Sequence, residues 1–311
     1  MTRYKGIWKS FTTFAGVEPD WAFPSTPQLL AQYGVWLADQ GYKPATIATH
    51  LAGVGWWHKV KGLEDPSRSY LVKRLLIGLA KEGPPPKQAT PIRYSQLRSV
   101  LEQLPAVANA YDAKLYRAAF LLAYFASLRV CEYADTKSKH ALQLKDVGFV
   151  VDGGVTCVSL TLPSYKGSNR RKAGNEGQNK PPPPPVKLLV PPNPPSACPV
   201  AALKEYLKVR PRGGGLLFLR KPGAPLTSAV VNTRLRACIA AMGLPPAEFS
   251  SHSFRAGRTT DLVEMNVADT QIRESGRWKS DAFLQYVRFD VFRLPAGGPA
   301  GCGGAYGPGP A

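Results

Sequence analysis

Three stretches near the C-terminus gather groups able to work on a phosphodiester: Ser251-His252-Ser253-Phe254-Arg255, then Gly276-Arg277-Trp278, then Tyr286. His252 and Arg255 stand three apart, so at a helix start they share one face and reach one anion. Arginine offers a planar fork of donors matched to phosphate oxygens. Trp278 adds a lone indole donor, and Tyr286 a hydroxyl able to attack phosphorus. Cleavage without a metal needs several cations and proton-transfer groups, so a second arginine must come from elsewhere. Arg129 fits, at the end of an apolar stretch in Ala126-Ser127-Leu128-Arg129-Val130-Cys131-Glu132, with Glu132 one turn on to orient it. Lys166, in Pro163-Ser164-Tyr165-Lys166-Gly167, sits at a β-turn and can donate a proton to a leaving hydroxyl. Arg170, Arg171 and Lys172 lie close by, as phosphate contacts or as competitors for that role. Taken singly these are ordinary residues: Tyr286 is one of thirteen tyrosines, and Arg129 with Glu132 makes a plain ion pair. The joint arrangement carries the argument.

The composition agrees. The chain has 311 residues, with 40 Lys and Arg against 21 Asp and Glu, a formal charge of +19. Such an excess points to a polyanion, most often nucleic acid. The hydrophobic fraction of 44% supports packed cores rather than wholesale disorder. The longest apolar run, 118–128, is shorter than the roughly 18 to 20 residues of a membrane span. Cysteines at 131, 157, 198, 238 and 302 are odd in number and form no CxxC pair. Neither a zinc site nor a disulfide framework is suggested, and a reducing intracellular compartment fits. The four histidines are dispersed and form no metal constellation, and no Walker motif is present, so no metal and no cofactor is expected.

The elements that must position these groups can be read next. Thr26-Pro27 opens a helix ending at Gly41, Pro44 opens a second, and a third runs over 69–81. Residues 1–83 therefore read as a helical domain and 84–91, with Pro84-Pro85-Pro86, as a linker. Residues 92–292 form a second, mixed domain. Ser95 is the expected cap of its first helix; a buried helix follows over 108–127. Val150-Val151 and 155–162 flank Asp152-Gly153-Gly154 as a hairpin, and 186–190 resumes the sheet. The polar insertion 165–187 includes Pro181 to Pro185. Helices are expected near 199–209, 228–242, 253–265, 268–276 and 280–288. The Gly-Pro-Ala tail, 293–311, reads as disordered. The fold class is thus α+β, mainly helical with a small sheet.

The order Arg, Lys, His-x-x-Arg, Trp, Tyr resembles the tyrosine recombinases, the phage-integrase family. Trp278 follows His252 by 26 residues and Tyr286 follows Trp278 by 8, close to the family spacing. The stretch from Gly276 to Arg288 and the Ser251 to Arg255 box are closest to the recombinases of DIRS-like retrotransposons and Cryptons. The resemblance implies a SAM-like core-binding domain and an integrase-like catalytic domain that clamp duplex DNA as a homo-oligomer. It implies attack by Tyr286 to give a 3′-phosphotyrosine, with Arg129 and Arg255 neutralising the phosphate. His252 and Trp278 would assist and Lys166 would protonate the leaving oxygen. In a eukaryotic host the protein would work in the nucleus. The family's C-terminal docking helix is replaced here by Gly-Pro-Ala sequence, which leaves the order of assembly open. A type IB topoisomerase-like enzyme and a non-catalytic DNA-binding relic of a mobile element remain as alternatives.

Overall fold

The computed structural model describes residues 2–20, 22–83, 88–136, 140–163 and 185–287. Lys166, Arg170, Arg171 and Lys172 fall outside this set, as do linker residues 84–87, nearly all of the 165–187 insertion and the tail. The chain divides into two compact units, 1–87 and 88–311.

Among the described residues the first unit holds four α-helices, α1 (Thr2–Ala15), α2 (Pro27–Asp39), α3 (Pro44–Val60) and α4 (Tyr70–Glu82), with a short 3-10 helix, Pro66–Arg68, before the last. Local chemistry sets their starts. Thr26 Oγ1 accepts from Leu29 N at 3.1 Å and Ser69 Oγ from Val72 N at 3.3 Å, each satisfying an orphan amide of a first turn. Ile7, Phe11, Leu30, Tyr33, Leu37, Leu51 and Val54 form the core. His58 is a buried structural residue, its Nε2 accepting from Ser25 N and its Nδ1 donating to Val54 O, each at 2.9 Å.

The second unit is built round α6 (Ala110–Phe125), which is apolar on nearly every side and buried accordingly. Before it comes α5 (Tyr94–Val107) and after it the short α7 (Val130–Tyr133). A three-stranded antiparallel sheet follows: β1 (Val147–Asp152), β2 (Val155–Leu162) and β3 (Val186–Val190), in the order β1-β2-β3. Asp152 pairs with Val155, which forces a two-residue turn. Gly153 and Gly154 take it with φ of 53° and 80°, a conformation that favours glycine. Val158, Leu160 and Leu162 point into the core. Four helices complete the unit: α8 (Pro199–Val209), α9 (Ser228–Ala241), α10 (His252–Glu264) and α11 (Asp269–Gly276). The expected helix over 280–288 is a shorter 3-10 helix, Asp281–Tyr286.

One expected cap is wrong. Ser95 does not start α5; the helix begins at Tyr94, with Arg93 in the cap position. Tyr94 N donates to Asp261 Oδ2 at 2.9 Å and Arg93 N to Gln96 Oε1 at 3.1 Å. A carboxylate brought from α10 does what a local serine was expected to do.

Candidate active site

Two chain reversals build the site. After Phe125, Ser127 adopts the left-handed region (φ 46°). Leu128 N then donates back to Ala123 O at 2.9 Å, and the carbonyls of Ala126 and Ser127 are released from the helix. α11 ends likewise, with Arg277 left-handed (φ 57°) and Trp278 N donating to Arg273 O at 2.9 Å. Neither position holds glycine, which would take that conformation without strain.

Arg129 caps α7. Its backbone N donates to Glu132 Oε2 at 2.9 Å and its Nη1 to Oε1 at 3.2 Å. Glu132 is fully buried. The same carboxylate takes Arg277 Nη2 at 2.6 Å. Arg277 also donates to Ser127 O at 3.2 Å, Ala126 O at 3.3 Å and Ser275 O at 3.0 Å.

Arg255, in the first turn of α10, is fully buried. Its Nη1 donates to Ser127 O and its Nη2 to Gly276 O, so it spans both reversals. Its Nε meets no acceptor among the described residues. The guanidinium lies 3.9 Å from the ring centroid of Trp278 and 5.5 Å from that of Tyr286, a desolvated cation on aromatic faces. Burial first, then the positive charges of Arg129 and Arg277, push its pKa down to about 9. That depression marks a cation short of negative partners.

Trp278 and Tyr286 stand 5.5 Å apart between centroids. Gly276 makes room for the indole, since a Cβ there would overlap the Trp278 ring. Tyr286 closes the 3-10 helix, where Phe283 packs with Leu262 and Ile272, and its carbonyl accepts from Thr260 Oγ1 at 3.3 Å. His252 is exposed at the start of α10. The chain before it is held by Asn232 Oδ1, which accepts from Ser251 N at 2.7 Å, and by Ser253 Oγ, which accepts from Ser250 N at 3.1 Å.

The structure therefore gathers Arg129, Glu132, Arg255, Trp278 and Tyr286 in one cluster, and sets His252 on the exposed rim of the helix that carries Arg255. Two contributors escaped the sequence reading. Arg277 stood in a motif already singled out, but its link to Glu132 spans 145 residues. Ser127 contributes through its carbonyl, for which side-chain chemistry gives no signal.

Known proteins resemble this mostly helical two-unit chain with its small antiparallel sheet. Residues 191–288 match the model described as Phage integrase family. The chain is 25% identical over 291 residues to the recombinase Cre of Escherichia phage P1, covering 86% of this chain and 77% of that protein. Among solved structures, a lambda integrase (75-356) dimer bound to a COC′ core site superposes with a TM-score of 0.60 at 16% identity, over 94% of this chain and 92% of that one. A XerH site-specific recombinase bound to palindromic difH substrate gives 0.57 at 18% identity, over 85% and 67%. The chain is thus similar over residues 191–288 to the phage integrase family, over most of its length to the recombinase Cre, and in fold to lambda integrase and XerH.

Proposed function

We propose that this protein is a site-specific recombinase that cuts and rejoins duplex DNA, with Tyr286 as nucleophile. The observation that carries the proposal is the convergence at Tyr286: its ring lies 5.5 Å from both the Arg255 guanidinium and the Trp278 ring, beside Arg129 held by Glu132. In the reaction the Tyr286 oxygen bonds to phosphorus and the bond from phosphorus to the 5′-oxygen breaks. His252 takes up the tyrosine proton, and Lys166 or a neighbouring basic residue returns one to the leaving oxygen. Bond energy is conserved in the phosphotyrosine, so the reverse attack by a 5′-hydroxyl rejoins the strand. Arg129 and Arg255 balance the charge growing on the non-bridging oxygens, and the partnerless Nε of Arg255 gains an acceptor when phosphate arrives. Because the two rings cover Arg255, Tyr286 must swing aside to admit that phosphate.

The wording of the C-terminal boxes supports a place near the DIRS-like and Crypton recombinases. Residues 1–83 would act as a SAM-like core-binding domain and 92–292 as the catalytic domain, working as a homo-oligomer on DNA. The net charge of +19 suits that partner. The test uses nicked duplexes from a randomised library, from which cleavage releases the short strand and traps the intermediate. Wild type should yield a covalent protein–DNA adduct stable to denaturant, and Tyr286→Phe none. An adduct of equal yield in the Phe variant would remove Tyr286 from the role.

A further inference from the structure

Arg277 is the residue this mechanism leaves unused. Its side chain is 3% exposed, and its two Nη atoms donate to Glu132 and to the carbonyls of Ser127, Ala126 and Ser275. It also occupies a left-handed backbone position, φ 57°, that glycine would fill without strain. A guanidinium kept there despite the strain calls for a reason, and its contacts supply one. Glu132 lies between two arginines. Arg277 Nη2 reaches its Oε2 at 2.6 Å, whereas Arg129 Nη1 reaches Oε1 at 3.2 Å. The buried carboxylate is thus held more closely by Arg277, and the Arg129 side chain, 15% exposed, is held more loosely.

We propose that Arg277 is a positioning residue: it balances the buried charge of Glu132 and so leaves the charge of Arg129 available to the scissile phosphate. The inference rests on the recombinase reading above. The charge count supports it. Among the described residues, Arg129, Arg255 and Arg277 stand round the Glu132 carboxylate, an excess of two positive charges from these four groups. A phosphodiester attacked by a tyrosine oxygen passes through a transition state carrying two negative charges, so the site is matched to it beforehand. Without Arg277 the excess falls to one, and Glu132 must draw Arg129 into a closer ion pair, away from the phosphate. Arg277 also holds the carbonyls of Ala126 and Ser127, so the same side chain that balances Glu132 fixes the turn from which Arg129 projects.

The test compares single-turnover adduct formation on the nicked duplexes, alongside DNA binding and thermal unfolding. The variants are Arg277→Gly, Arg277→Lys, Glu132→Gln and the double variant Arg277→Gly with Glu132→Gln. Glycine suits the backbone, so Arg277→Gly should fold and bind DNA within about threefold of wild type while forming adduct roughly a hundredfold more slowly. Removing the carboxylate charge as well should release Arg129, and the double variant should regain about tenfold or more over Arg277→Gly. A residue that merely staples the fold would show no such recovery. Arg277→Lys keeps the charge and should stay within about tenfold of wild type. It carries the test if Arg277→Gly does not fold, and a folded Lys variant more than a hundredfold down would overturn the proposal. So would a wild-type rate in folded Arg277→Gly, or a double variant no faster than it. If wild type itself forms no adduct, the recombinase reading fails and this one with it. Failure of the Arg277 results alone leaves that reading standing.

Discussion

Gly257 is where α10 meets the chain entering the second unit, and Gly257→Ala tests how rigidly Arg255 must be held. A Cβ at 257 would fall inside the van der Waals envelope of the Ile92 carbonyl, a backbone group with no rotamer to yield. Restoring ordinary contact moves α10 away by on the order of 1 Å or more. That displacement stretches the bond from Ile92 N to Ser253 O, now 2.9 Å, worth about 1 kcal/mol. Overpacking against backbone adds roughly 1–3 kcal/mol. The expected loss is therefore about 2–4 kcal/mol, a fall in unfolding temperature of roughly 5–15 °C for a unit of this size. Arg255 lies two residues away with both Nη atoms committed to carbonyls of other segments, so the same shift should slow adduct formation by on the order of a hundredfold. Differential scanning calorimetry and single-turnover cleavage read the two effects. A variant that melts within 2 °C of wild type and cleaves at the wild-type rate would refute the reasoning, since it would show that α10 slides without disturbing the site.

Three further outcomes follow from the same geometry. Gly276→Ala places its Cβ inside the Trp278 indole, which must move and uncover the buried Arg255 cation; stability should fall by roughly 1–3 kcal/mol and cleavage roughly ten- to a hundredfold. Asp261→Asn removes a charge from a buried acceptor serving Arg93 Nε, Tyr94 N and Tyr124 Oη, and should cost about 3–5 kcal/mol in urea unfolding. Alkaline pH should destabilise the second unit. Burial raises the phenol of Tyr124, with help from its bond to Asp261, and burial likewise raises Tyr111 and Tyr133. The folded state holds these protons more tightly than the unfolded chain does. Their contribution is complete below the ordinary tyrosine pKa near 10 and is lost as pH climbs toward the raised folded values. Ionisation of these three phenols should therefore coincide with unfolding followed by circular dichroism, and their ionisation in a still-folded protein would contradict the assignment.

Much of the second unit was legible because its signals are local. The hairpin at Gly153-Gly154, the helix over 199–209 and the spacing of Arg129 and Glu132 each rest on residues within a turn or a strand of one another. What escaped reading depends on partners far along the chain. Ser95 looked like the cap of α5, but the acceptor for Tyr94 N is Asp261, 167 residues away, and a carboxylate so placed outcompetes a local hydroxyl. His252 and Arg255 share a helix start as their spacing implied. Their burial differs completely, because Arg255 alone turns toward the carbonyls of Ser127 and Gly276. Arg277 stood in the Gly276-Arg277-Trp278 motif without a role of its own, because its partner Glu132 lies 145 residues away.

The ties of Asp261 to Arg93 and Tyr94, and of Ser253 to Ile92, have a consequence in time. They close loops of more than 160 residues, so the opening segment of the second unit stays unpaired until α10 has been made. During synthesis at about 5–20 residues per second, that leaves α5 waiting on the order of ten seconds for the carboxylate that caps it. The Arg129 turn is completed later still, since Glu132 lacks its closer cation until residue 277 emerges. The cluster of Arg129, Glu132, Arg255 and Arg277 is therefore among the last parts of the molecule to become ordered, and a nascent chain cannot assemble it until nearly all of the second unit is in place.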